Sequence, residues 1–158
     1  MKKVKFLKLV SVYTIVVLFS AIIVSFKSDS KIKQIDYYLN NYKKSSLLDI
    51  VKKELSNKRK PVLYFYATWC GPCKQFKKSL TDPLMIDALK DVTLIMIDAD
   101  IDAKNENISK KYQVSAYPNY VIIDSTGKLL KQIDGGAWDE NIPKNMAPVL
   151  KDFLNIKF

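Results

Sequence analysis

Residues 61–67 (Pro61-Val62-Leu63-Tyr64-Phe65-Tyr66-Ala67) hold no charged side chain and run almost directly into Trp69-Cys70-Gly71-Pro72-Cys73-Lys74. An apolar run this short, with no polar alternation, reads as a strand covered on both faces. A proline two positions past Cys70 is acceptable only in a helix's first turn, so a helix is expected from Gly71 to Leu80. A strand buried on both sides and followed at once by a helix belongs in an α/β sheet.

The same stretch holds the only two cysteines of the chain. A thiol at a helix start lies where N–H groups and the helix dipole favour the thiolate, and a second thiol one turn on can attack a mixed disulfide. Thiol–disulfide exchange is the chemistry this arrangement suits. A structural disulfide would close too short a loop to restrict the unfolded chain much. A zinc site wants four ligands, and there is neither a histidine nor a third cysteine. Cu(I) held by the two thiolates stays as an alternative. Lacking histidine, the chain has no Cys–His nucleophilic pair.

Trp69 to Lys74 resembles the active-site motif of the thioredoxin family, and Val114-Ser115-Ala116-Tyr117-Pro118-Asn119-Tyr120-Val121 resembles the family's cis-proline segment. The resemblance covers roughly Ser45 to Phe158. It implies a thioredoxin fold, a central mixed sheet flanked by helices. Cys70 is then the nucleophile, Cys73 the more buried resolving thiol, and Pro118 a cis residue offering a backbone edge to substrate peptides. Gly71 and Pro72 set the turn between the sulfurs, and Trp69 is a surface lid. Gly-Pro between the cysteines is similar to the reducing type, so the expected activity is disulfide reduction. An oxidase or isomerase of the same fold is the alternative.

Two positions depart from the family pattern. Tyr64 stands where cytosolic thioredoxins bury an aspartate, and Met96 is the counterpart of the lysine that pairs with it. Water, Tyr64 or a partner group is then expected to take the Cys73 proton, with Asp98 and Asp100 as substitutes. Lys74 and Lys77 read as solvated. Thr81 to Asp98 is similar to the C-terminal thioredoxin-like domain of the membrane electron transporter DsbD.

Ahead of the domain, Leu9 to Phe26 forms eighteen uncharged residues behind Lys2, Lys3, Lys5 and Lys8. This is expected to be an uncleaved membrane anchor, or else a signal sequence. The reading is residues 1–8 as a short basic tail, 9–26 as a transmembrane helix, 27–44 as a basic stalk or N-terminal helix, and 45–158 as the thioredoxin-like domain. Early lysines favour a cytoplasmic start, which places the domain on the periplasmic or extracytoplasmic side of the inner membrane. Expected partners are protein disulfide substrates, a membrane electron donor, and the membrane itself.

Residues 1–60 carry fourteen Lys/Arg against four acids, while residues 61–158 carry twelve of each. With the basic excess ahead of Pro61, the domain is expected to show no net positive field and to bind no nucleic acid. No cofactor is expected beyond the redox disulfide, since no Gly-rich phosphate loop is present. No metal site is expected.

Apolar spacing predicts helices over 31–57, with Asn40-Asn41 and Ser45-Ser46 as weak points, over 83–89 and 104–112, and from about Glu140 or Pro143 to Leu154. Strands are expected at 92–98, 119–124 and 129–133, with a hairpin turn at Ser125–Lys128.

Overall fold

A computed structural model describes residues 31–41 and 45–156. The tail, the anchor and part of the stalk read above lie outside the described residues. Among the described residues no helix is long and apolar enough to cross a membrane.

Five strands form one sheet: β1 (Lys33–Asp36), β2 (Lys60–Tyr66), β3 (Val92–Asp98), β4 (Asn119–Ile123) and β5 (Leu129–Asp134), in the order β1-β3-β2-β4-β5. β1, β3 and β2 run parallel, β4 is antiparallel to β2, and β5 is antiparallel to β4. Lys33, Lys60 and Val92 mark one end of the parallel strands; Cys70, following β2, lies at the other.

Side chains of β2 and β3 alternate between two cores, as the two-faced apolar run requires. Val62, Tyr64, Tyr66, Leu94 and Met96 face one layer. It is formed with α2 (Gly71–Ser79), α3 (Pro83–Ala88) and α6 (Pro143–Phe153). Leu63, Phe65, Ile95 and Ile97 face the other, with α1 (Leu47–Ser56) and Tyr37.

Asp82 caps α3 through its side chain, and Pro83 takes the first helical position, as expected. The hairpin joining β4 and β5 also falls where Thr126 and Gly127 predict it, with Asp124 accepting from Thr126 N and Lys128 N.

Two expectations are corrected. Residues 33–36, read as part of a helical stretch in the 27–44 stalk, form a strand instead. Ile35 lies in register with Ile95 on the open side of β3, and pairing there outweighs the helical spacing of Ile32, Ile35 and Leu39. The sheet therefore begins ahead of Ser45. Its edge strand is fixed by buried Glu54, which accepts from Lys33 at 2.6 Å and Thr93 at 2.6 Å, with Arg59 Nε at 3.8 Å.

Of the helix predicted at 104–112 only the later part is helical: a short α4 (Ala99–Asp102) ends before it, and α5 (Ile108–Lys111) lies within it. Asn107 turns the chain through φ 52° between them. Buried Asp102 then takes Ile108 N and Ser109 N, each at 2.8 Å, in place of a continuing helix. Asp102 also accepts from Tyr38, and Glu106 accepts from Tyr37, so the π-helical turn after β1 (Tyr37–Asn41) is tied to this loop.

Candidate active site

Cys70 is the N-cap of α2, where its backbone is extended and its sulfur accepts from Cys73 N at 3.1 Å. The helix start thus points the Cys73 N–H at this sulfur, a local environment that favours a thiolate. The two cysteines form a disulfide with S–S 2.05 Å and Cα–Cα 5.3 Å. Cys73 is 1% exposed and Cys70 5%, so in this oxidised form the attacking sulfur is nearly as enclosed as the resolving one. Gly71 and Pro72 are exposed between them.

The peptide bond Tyr117–Pro118 is cis. Trp69 is 66% exposed, stands edge-on to Tyr117 at 6.1 Å, and donates from Nε1 to Asp100 at 3.4 Å. Pro118 O accepts from Gly135 N at 2.9 Å. A Cβ at Gly135 would sit 2.9 Å from Pro118 Cδ, so only glycine allows this approach. Gly135 is a site residue that the sequence does not single out. Nothing in the spacing ties it to Pro118, because β4, β5 and their turn separate them.

Beneath the disulfide lies an aromatic floor. Tyr64 packs on Phe76 at 4.9 Å and on Tyr120 at 5.2 Å, and Tyr120 meets Trp138 at 5.7 Å. Tyr64 OH donates to the Cys73 carbonyl at 3.4 Å. Met96 lies opposite Tyr64 across the β2–β3 pair. Burial, reinforced by Tyr66, pushes the Tyr64 hydroxyl far above the ordinary tyrosine range. Protonated at neutral pH, it acts here as a donor to the Cys73 carbonyl.

The two aspartates offered as substitutes have other partners. Asp98 caps α4 through Asp100 N at 2.9 Å and Ile101 N at 3.4 Å, and Asp100 holds Trp69. Tyr120 OH is buried without a hydrogen-bond partner among the described residues.

Lys77 does not simply reach into solvent. Its ammonium lies 3.3 Å from the centroid of the Tyr66 ring. Burial lowers its pKa, against the opposite pull of Asp36 and Asp98. The signal available in the sequence was its spacing, four residues after Cys73 on one helix face. Among the described residues no cluster of three or more His, Cys, Asp or Glu could hold a metal ion.

With that geometry in place, comparison with known proteins is informative. The thioredoxin family's sequence profile matches residues 40–151. Mitochondrial thioredoxin-3 of Saccharomyces cerevisiae is 40% identical over 76 residues, covering 48% of this chain and 55% of the yeast protein. The thiol:disulfide interchange protein DsbD of Actinobacillus pleuropneumoniae is 29% identical over 102 residues, covering 63% of this chain and 18% of that one. Among solved structures, the disulphide isomerase of Xylella fastidiosa is 25% identical with a TM-score of 0.50, covering 70% of this chain and 90% of that one. The chain spans about half the length, or less, of the first curated relatives it matches. Since the family profile covers most of its length, the chain, with its CxxC disulfide and its cis-proline, belongs to the thioredoxin family.

Proposed function

We propose that this protein is a thiol–disulfide oxidoreductase that reduces disulfides of extracytoplasmic proteins, held at the inner membrane by residues 9–26. The observation that carries the reading is the Cys70–Cys73 disulfide at the head of α2, with Cys70 in the capping position. In the reduced protein, the Cys70 thiolate attacks one sulfur of a substrate disulfide. A Cys70–substrate disulfide forms and one substrate thiolate leaves, taking a proton. Cys73 then loses its proton and attacks Cys70 Sγ. The intramolecular disulfide closes, the second substrate thiol is released, and the substrate has gained two electrons and two protons. Turnover needs a dithiol donor to re-reduce the protein, and a membrane electron carrier fits that requirement.

The uncharged Gly71-Pro72 pair, with no histidine near Cys70 to stabilise its thiolate further, supports the reducing direction. Redox titration against glutathione tests it. A potential near roughly −270 mV is expected, while one near roughly −120 mV makes the protein an oxidase. A Cys73→Ala variant expressed in cells should accumulate Cys70-dependent mixed disulfides with its substrates. Absence of such adducts, together with stoichiometric Cu(I) binding by the reduced protein, would replace exchange by the metal-binding reading. For the tether, the full chain should stay with membranes after alkaline extraction, and a chain lacking residues 9–26 should not.

A further inference from the structure

The resolving step needs Cys73 as a thiolate, in surroundings that are almost wholly apolar. Cys73 is packed among Tyr64, Phe76, Met96 and Tyr120, and neither buried tyrosine hydroxyl supplies a charge. Three charges, from three elements, interact with one another beside this layer. Asp36 on β1 and Asp98 at the end of β3 are negative, and Lys77 on α2 is positive. Lys74 and Lys77 are the two cations within a turn of Cys73, both exposed, and Lys77 is the one laid on an aromatic ring.

Lys77 follows Cys73 by one helical turn, so the two side chains leave the same face of α2. Its ammonium rests on Tyr66, whose ring stacks on Tyr64 at 5.7 Å and 12°. Tyr64 in turn donates to the Cys73 carbonyl. This places one cation, held against an aromatic ring, on the flank of the pocket that holds the resolving sulfur.

We propose that Lys77 is a positioning charge for the resolving step, its ammonium favouring the Cys73 thiolate as it attacks the mixed disulfide on Cys70. The inference rests on the exchange reading above. Lys77 accepts no proton in the step. The Cys73 proton goes to solvent or buffer, the Cys73–Cys70 bond forms, and the substrate sulfur leaves with the electron pair. Without Lys77, Asp36 and Asp98 would lose the cation they interact with, and negative charge left unbalanced beside this layer would disfavour ionisation of the thiol.

The test is stopped-flow reaction of the reduced full-length protein with an aryl disulfide, dithiobis-nitrobenzoate, across pH. The first nitrothiobenzoate released reports Cys70 attack, and the second reports Cys73 closing the ring. In Lys77→Met the second release should slow about 3- to 10-fold near neutral pH, with its pH profile moved up by about half a unit to one unit. Lys77→Arg should restore the profile, and added salt should narrow the gap between Met and wild type. A second-release profile in Lys77→Met that superimposes on wild type overturns the inference, as does Lys77→Arg behaving like Lys77→Met. Neither result touches the exchange reading, which fails only if the wild-type protein gives no second release.

Discussion

Glu54 shows how one residue fixes the start of this domain. Its carboxylate is 1% exposed yet meets Lys33, Thr93 and Arg59, from β1, β3 and the approach to β2. Burial alone would raise its pKa, but hydrogen bonds from Lys33 and Thr93 and the charges of Lys33 and Arg59 outweigh that and hold it low. A carboxyl whose folded pKa is depressed contributes stability that is fully present above its unfolded pKa, near 4.5, and lost as pH falls through the folded value. Thermal unfolding should therefore show a falling midpoint below about pH 5, and Glu54→Gln should flatten that part of the curve. At pH 7 the same substitution should cost about 2 kcal/mol, since Lys33 and Arg59 lose an ionised acceptor. An unchanged acid limb would mean that Glu54 is not the group responsible.

Among the elements, the β5-to-Gly135 segment sets the wall behind Pro118. Gly135 follows β5 directly and its N–H holds the Pro118 carbonyl, so a methyl group at 135 must displace the proline ring or the backbone. Gly135→Ala should destabilise the domain by about 1–3 kcal/mol in denaturant unfolding. It should also slow insulin reduction, where Gly136→Ala is the comparison: its added methyl meets only the Asp134 carboxylate, at 3.1 Å. Equal rates for the two variants would detach Gly135 from the site. The elements that sequence resolved are those whose signals are local. The Cys70-Gly71-Pro72-Cys73 helix start, the Asp82-Pro83 cap and the Asp124–Lys128 turn each carry their own chemistry. Those it misread, β1 and the broken stretch around Asn107, depend on partners far along the chain, Ile95 for one and the Tyr38 hydroxyl on Asp102 for the other.

For the whole molecule, moving the domain's beginning to about Lys31 changes its electrostatics. Residues 61–158 are balanced, but residues 31–158 carry twenty-one Lys/Arg against fifteen acids, so the folded unit keeps a net positive charge. The expectation of a neutral domain counted charge only from Pro61, whereas the sheet begins at Lys33. Much of the excess, including Lys33, Lys53, Lys58 and Lys60, collects where the parallel strands begin, while Asp98, Asp100 and Asp102 cluster where they end. A protein beginning at Ser45 would lose β1 and buried Tyr37 and Ile32, and would leave one edge of β3 open. It should be less stable than one beginning at Lys31 by at least about 3 kcal/mol, on the order of 10 °C in unfolding midpoint. It should also self-associate in size-exclusion chromatography through the bared strand. A Ser45 form that matches the longer one in both measurements would make β1 dispensable. The chain enters through β1 at the pole away from Cys70. Coupled to a bead or sensor chip through an added N-terminal tag, the domain should present its redox face outward and work as an immobilised reductant without redesign.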